Sequence, residues 1–409
     1  MTDVTSGTGA AIPLRGVTFA KQFPSPVEPL RGLFVAEQVL ATRDAVDWRV
    51  IAPVPFVPRV LAGLLRKPYV RGDDDLDGVP VSRPRYPVLP RRLLYTTVAP
   101  AMARCARGAW REILSSHRPA FVHAHALYPS GAAARRLARG VLPYIVSIHG
   151  SDLYTNMARP AWAAEVRATL ADAAAVVCVS ASLARDAVAL GGADPARTVV
   201  IPDTFDSARF RFVERPVYAG PLRLVTVGRL VEVKGFDLLV RALGGAVHDG
   251  LDATLTIVGA GPERSRLEAL VAENNLGARI TFAGALGEEA LLGKLAEADA
   301  FVSASRKEGF GVAIVEALAT GLPVLATLSG GPDEIVTEDD GMLVAPDDIA
   351  ALSAALLGLA SGIARYDRAA IAARALERYG PGRVGAKLMD VYRSVAAGEP
   401  LPTTMEATR

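Results

Sequence analysis

Two glutamates in the second half of the chain, Glu308 and Glu316, stand eight positions apart in the stretch SRKEGFGVAIVEALATGLPVLATLSGGPDEIV (305–336). A polar loop runs through Gly309, Phe310 and Gly311 straight into VAIVEALA, whose apolar residues recur at helical spacing. Backbone N–H groups exposed by a glycine turn, together with the positive end of the helix behind it, favour a bound anion. Glu308 lies just before that helix and Glu316 about one and a half turns inside it, so the two are on the order of 10 Å apart along the axis. One molecule with hydroxyls at both ends and phosphates between them would engage both carboxylates. A nucleoside diphosphate sugar has that layout. Two solvated glutamates on an ordinary loop and helix are the plain alternative.

Other candidates also follow apolar runs. Arg229 and Lys234, in LVTVGRLVEVKGFDLLV, sit between a strand and a helix. Two cations there suit a diphosphate leaving group, or are simply surface charge. His149, in SIHGSDL, opens a glycine turn with Asp152 behind it; it is placed to face a cleft, or to be hydrogen-bonded within the turn. His123 and His125 alternate in FVHAHALYP and so share one face of a strand. Zinc would want a third ligand; none is near in sequence, so no metal is expected. IVGAGPE (257–263) carries a Gly-x-Gly after a strand without the complete dinucleotide fingerprint. Gly32 opens a helix after the proline-rich FPSPVEPLR (23–31).

Taken together, E-x7-E at 308–316, GRL-x3-KG at 228–235 and HG-x-D at 149–152 make a pattern. With ALATGLPV and the Gly-Gly turn after it, the chain resembles the retaining GT-B glycosyltransferases of family 4, in the branch similar to teichuronic acid biosynthesis glycosyltransferases. The resemblance covers nearly the whole chain, and its motifs cluster in 121–153 and 222–345. It implies an α/β GT-B fold, two doubly wound Rossmann-like domains facing a cleft that holds the active site. It implies His149, Arg229, Lys234 and Glu308 as the catalytic set, with His149 beside the transferred sugar and the two cations on the departing diphosphate. Glu308, Gly309, Phe310, Gly311 and Glu316 would hold the donor, with Glu316 at its nucleotide end. Gly32 would lie near the phosphates, and Gly259, Phe282 and Ala283 against the base. His123, His125 and Asp152 would be acceptor-side cleft residues, the two histidines lining the cleft or standing directly behind the residues that do. The donor would be a UDP- or GDP-linked sugar, with no cofactor.

Two segments depart from the family pattern. One glycine, Gly32, stands at the helix entrance where two or three are usual. IPDTFD (201–206) puts Asp203 and Thr204 where a Pro-Asn-Gly turn is usual, so that turn's role does not carry over.

The elements that must position these groups repeat as apolar strand, loop and amphipathic helix, which argues for parallel sheets. In the first half the expected strands are 16–20, 48–52, 121–125, 144–148, 175–179 and 198–201. In the second half they are 222–228, 253–259, 279–284, 299–305, 322–327 and 341–345. The proline- and arginine-rich interval 79–92 reads as a surface excursion, and the acidic DDDLD (73–77) as a solvated loop. The break at 202–221 has three prolines and reads as a linker. The expected order is a tail (1–14), an acceptor domain (15–205), a donor domain (206–380), a helix crossing back to the first domain (381–398) and a second tail (399–409).

At 409 residues, 51% hydrophobic and 22% charged, the chain suits a globular protein with more than one core. No apolar run reaches the roughly 18 residues of a membrane span, and MTDVTSGTGAA lacks the marks of a secretory signal. Cys105 and Cys178 are read as reduced thiols, with Cys178 in the core and a cytoplasmic location expected. The Ala, Arg and Gly bias suggests a high-GC bacterium.

Charge is uneven. Residues 1–140 carry 20 Lys/Arg against 10 Asp/Glu, and the remainder 25 against 33. The excess concentrates in 59–111: Arg59, Arg66, Lys67, Arg71, Arg83, Arg85, Arg91, Arg92, Arg104, Arg107 and Arg111. That region suits peripheral contact with an anionic membrane on its inner face, an acidic acceptor, or a solvated face. Nucleic acid is not expected as a partner, for want of an aromatic platform or module. Two other readings remain at this level: a nucleotide-sugar epimerase or phosphorylase on the same fold, and a non-catalytic nucleotide-binding protein.

Overall fold

A computed structural model describes residues 13–56, 72–87, 95–214 and 220–402. In chain order the strands of the first half are β1 (Leu14–Ala20), β2 (Val46–Ile51), β3 (Val54–Pro55), β4 (Asp74–Leu76), β5 (Val79–Ser82), β6 (Arg85–Tyr86), β7 (Phe121–His125), β8 (Tyr144–Ile148), β9 (Ala175–Cys178) and β10 (Thr198–Val200). Eight of them form one sheet in the order β10-β9-β8-β7-β1-β2-β5-β4, parallel except for the β4–β5 pair, while β3 and β6 make a small separate ladder. FVHAH, YIVSI and AVVC are buried along their whole length. Strands covered on both faces need this unbroken apolar character, and helices between consecutive strands supply the cover.

The second half holds β11 (Leu222–Val227), β12 (Ala253–Val258), β13 (Ile280–Gly284), β14 (Ala300–Ser303), β15 (Val324–Thr327) and β16 (Gly341–Val344). Their order is β13-β12-β11-β14-β15-β16, all parallel. This is the strand order of a doubly wound nucleotide-binding sheet, in which ligand lies where the order reverses, beyond the carboxyl ends of β11 and β14.

The chain passes to the second sheet after β10 and returns through the helix Pro381–Ala397. Val384, Leu388, Val391 and Tyr392 of that helix are buried with Val35, Trp48 and Phe121 against one face of the first sheet. The Tyr392 ring stacks on Phe121 at 4.7 Å and meets Trp48 edge-on at 5.5 Å. Burying a side chain of that size contributes on the order of 2–3 kcal/mol. Thr204 Oγ1 donates to the Tyr379 carbonyl at 2.9 Å, joining the outgoing and returning segments.

Three expectations need correction. Residues 79–82 of the supposed surface excursion form β5, paired with β2, and Val79, Val81 and Tyr86 are buried. DDDLD is not a solvated loop, since 74–76 pair with β5 as the sheet's edge strand. Arg83 belongs to no exposed basic face: at 5% exposure it donates from Nε to Asp74 at 2.9 Å and from Nη2 to the Pro24 carbonyl at 2.5 Å. A buried guanidinium needs such partners, and the acidic run next to it provides them. Of the remaining basic positions, Arg85 is half-buried in β6 and Arg104, Arg107 and Arg111 are exposed on the helix Val98–Ser116, whereas Arg59, Arg66, Lys67, Arg71, Arg91 and Arg92 lie outside the described residues.

Candidate active site

The second domain builds its part where β11 and β14 end. Arg229 follows β11 and is exposed at the rim. Lys234 closes a single turn (Glu232–Lys234) and is followed by Gly235 at φ 63°, where a Cβ would strike the Ala304 carbonyl. That close approach brings Lys234 against the loop after β14, and its Nζ pairs with Glu308 Oε2. The Glu308 backbone is clamped: its N–H donates to the Ser329 carbonyl and its carbonyl accepts from Gly331 N–H, both at 2.9 Å. Gly311, at φ 114°, turns the chain into the helix Val312–Ala319, which has no side-chain cap. Its first N–H groups are therefore left for an anion.

The first domain contributes His149, at the carboxyl end of β8. Gly150 at φ 106° makes the turn. Asp152 fixes it by accepting from His149 N–H at 3.0 Å and from Leu127 N–H at 2.9 Å. His149 Nδ1 lies 3.4 Å from the Asp203 carboxylate, and Gln38 Nε2 holds that same carboxylate at 2.8 Å. Phe34 packs on the imidazole, ring centroids 4.5 Å apart. Burial works against a charged imidazole here, but Asp203, by charge and hydrogen bond, and Asp152 outweigh it and hold His149 above its ordinary range.

Between the domains lies a cavity of about 300 Å³. Phe34, His149 and Asp203 line one side, and Arg229, Lys234 and Glu308 the other. Phe310, Gly311 and the first residues of the uncapped helix also reach it. Cations, a helix N-terminus and hydrogen-bonding groups thus converge on one small volume, an arrangement that suits an anion carrying hydroxyls.

The other expected residues fall elsewhere. Glu316, in the helix Val312–Ala319, does not line this cavity; it lies toward Glu37 of the helix Leu33–Thr42. Burial pushes Glu316 up to about 8. Burial first, then the charges of Glu316, Asp203 and Asp206, push Glu37 up to about 9, against the pull of Arg209. Gly32 starts its helix at φ 70°, hard against the Gln22 backbone, and it is Phe34 rather than Gly32 that reaches the cavity. Gly259 meets Gly228 so closely that a Cβ would collide with the Gly228 carbonyl. Phe282 and Ala283 lie near the end of β13, with the Arg264 guanidinium 4.7 Å above the Phe282 ring.

His123 and His125 do share a face, with ring centroids 4.2 Å apart, but both are buried. Of the two positions open to it, His123 takes the one behind the cleft: it bonds Ser147 Oγ at 2.7 Å and Tyr392 Oη at 2.9 Å, and burial lowers it to about 3. His125 is also held well down by burial, and its Nδ1 stands 3.4 Å from His149 Nε2, so it backs the candidate histidine from behind. Among the described residues no group of three His, Cys, Asp or Glu is arranged to hold a metal ion.

Sequence reasoning noted Asp203 without giving it a role, and passed over Phe34, Glu37 and Gln38. A signal existed for the last two, since Glu-Gln interrupts the apolar FVAEQVLA at positions that a packed helix would bury.

Known proteins resemble this chain along most of its length. Residues 46–209 match the model of Glycosyltransferase Family 4 and residues 221–361 that of Glycosyl transferases group 1. TuaC of Bacillus subtilis, a glycosyltransferase assigned to teichuronic acid biosynthesis, is 31% identical over 351 residues, 82% of this chain and 86% of TuaC. Among solved structures, sucrose-phosphate synthase from Thermosynechococcus elongatus superposes with a TM-score of 0.78 at 21% identity, over 95% of this chain and all of that one. HepE of Anabaena, in complex with UDP and glucose, gives 0.69 at 19%, over 93% and 99%. No single helix among the described residues is long and apolar enough to cross a membrane. With both halves matched and a relative above 30% identity over most of both chains, the chain belongs to glycosyltransferase family 4 and has its two-domain GT-B architecture.

Proposed function

We propose that the protein transfers a sugar from a nucleoside diphosphate sugar, UDP- or GDP-linked, to an acceptor hydroxyl, with retention at the anomeric carbon and without a metal ion. The observation that carries this reading is the shared cavity, in which Arg229, Lys234, Glu308 and a helix N-terminus of one domain face His149 and Asp203 of the other. The donor diphosphate would lie against Arg229, Lys234 and the free N–H groups, which stabilise charge as the C1–O bond to phosphate breaks. Lys234 would then exchange Glu308 for phosphate, leaving the carboxylate to accept from sugar hydroxyls. Glu316 would accept from the ribose. The acceptor oxygen bonds to C1 on the face the diphosphate leaves, and its proton passes to the departing phosphate oxygen. His149, whose protonated form Asp203 favours, would donate to the sugar or to the phosphate.

The likeness to TuaC favours an envelope glycan or its lipid-linked precursor as acceptor, reached by peripheral contact of the basic 59–111 region with the inner face of the membrane. A thermal-shift screen of nucleoside diphosphate sugars tests the donor, because a ligand that binds the folded state alone raises its stability. The product's anomeric configuration, read by NMR with chelator present, tests retention and metal independence. Stabilisation by no nucleoside diphosphate sugar, or an inverted product, would refute the proposal.

A further inference from the structure

The loop that carries Glu308 is held from both domains, and the contacts from the first domain lie on both sides of that glutamate. Before it, Lys307 Nζ sits 3.4 Å from the centroid of the Tyr154 ring and 3.4 Å from Asp186 Oδ2, which also accepts from Tyr154 Oη at 2.6 Å. After it, the Gly309 carbonyl accepts from Ser180 Oγ at 2.7 Å. The backbones touch as well: a Cβ on Gly150 would come within 2.9 Å of Gly309 Cα, and one on Gly309 within 2.6 Å of the His149 carbonyl. Tyr154, Ser180 and Asp186 belong to the first domain, Lys307 and Gly309 to the second.

Glu334 completes the seam. It lies in SGGPDEIV, in the short helix Pro332–Ile335 of the second domain. Its two carboxylate oxygens accept from the N–H groups of Ala181 and Ser182, each at 2.8 Å. Those two residues open the helix Ala181–Gly191 of the first domain, whose Leu183 N–H is taken by Ser180 Oγ. A carboxylate from one domain thus caps a helix of the other, where the N–H groups are free and the helix dipole favours negative charge. Charge-assisted bonds of this kind are about twice as strong as neutral ones. From the same domain, Arg378 holds the Glu334 and Ile335 carbonyls at 2.6 and 3.0 Å, so the carboxylate is presented from a fixed backbone.

We propose that Glu334, with Ser180 and Lys307, forms an interdomain latch that positions His149 against Glu308 for the transfer step. These are positioning residues. They touch neither the candidate cavity nor, in the proposed function on which this inference rests, the donor. Arg229, Lys234 and Glu316 all belong to the second domain, so nucleotide affinity should survive loss of the latch. Assembly of the catalytic face should not.

The test measures domain separation and nucleotide affinity on the same full-length proteins. One spin label goes on the exposed Cys105 and another on Ser361→Cys, an exposed position in the second domain, while the buried Cys178 stays unlabelled. Their distance is read in the otherwise unsubstituted protein and in Glu334→Gln, Ser180→Ala and Lys307→Met. UDP and GDP titrations report the second domain, and nucleoside diphosphate release from the donor found by screening reports turnover. Glu334→Gln should add a longer, broader distance population, leave nucleotide affinity within about twofold, and lower kcat at least tenfold with little change in KM; Glu334→Asp should recover part of that loss.

An unchanged distance distribution in both Glu334→Gln and Ser180→Ala would overturn the latch. Nucleotide affinity falling in step with turnover would also overturn it, since Glu334 would then belong to the donor site. Failure of the unsubstituted protein to bind UDP or GDP is a different outcome: it would count against the transferase reading and leave the distance result to decide the latch by itself.

Discussion

Replacing Glu37 by glutamine should stabilise the protein at neutral pH and leave it nearly unchanged at pH 4.5. Glu37 is 8% exposed, and its Oε1 has no hydrogen-bond partner. Burial, and then the charges of Glu316, Asp203 and Asp206, raise its carboxyl from 4.5 to about 9. Between those values the unfolded chain has lost the proton and the folded chain keeps it. The folded state therefore binds more protons, and its stability falls as pH rises through that window. At about 1.36 kcal/mol per unit, the penalty is roughly 0 at pH 4.5, about 2 kcal/mol at pH 6 and about 4 kcal/mol at pH 7.5. Glutamine has the same shape and no proton to lose. Urea unfolding of both proteins at the three pH values reads the difference directly. A stability difference that does not change with pH, or a glutamine variant less stable at pH 7.5, would refute the reasoning.

Lys234→Ala and Arg229→Ala should each lower turnover by roughly 2–4 kcal/mol of leaving-group stabilisation with the fold intact; unchanged steady-state rates would remove them from that role. Asp203→Asn should move the His149 titration, followed by NMR, to lower pH. The raised histidine contributes stability below its unfolded pKa and loses it as pH rises through the folded one, so this variant should lose more stability at pH 5.5 than at pH 8.5. Calorimetry with free nucleoside diphosphate should show weakened binding in Glu316→Ala and near-normal binding in Glu308→Ala; the reverse result would exchange the two ends of the donor. Anionic vesicles should float the protein at low salt and release it as salt rises, with about 1 kcal/mol per basic residue at the surface. Recovery in the soluble fraction alone at low salt would end the membrane proposal.

The parts of fold and site written in consecutive residues were legible in the sequence. FVHAH and YIVSI occur as strands with the expected bounds, because parallel strands buried on both faces need an unbroken apolar run. GRL-x3-KG and the Glu308 end of E-x7-E were readable for a similar reason, since each joins a strand end to its following helix within one short segment. The strands at 54–55, 74–76, 79–82 and 85–86 were not, being short, rich in proline or charge, and defined only by their neighbours. The Asp203 contacts to His149 and Gln38 span 54 and 165 positions, and no local pattern encodes such pairs. Whether His123 lines the cleft or stands behind it was not legible, because alternation gives the face of a strand but not what covers it. The cover is Tyr392, 269 positions away.

The bond from Thr204 to Tyr379 has a mechanical consequence. Bodies joined by one tether can swing and twist freely about it. Here the outgoing and returning segments run side by side and are bonded to each other, so twist about either one is resisted by the other. What remains is rotation about a single short pivot. Hinges of this kind take up their motion in a few backbone dihedrals. The interdomain seam where Glu334 meets Ala181 and Ser182 would then part by more than the pivot itself moves, and reclosure about that one pivot would return His149 to the same side of Glu308.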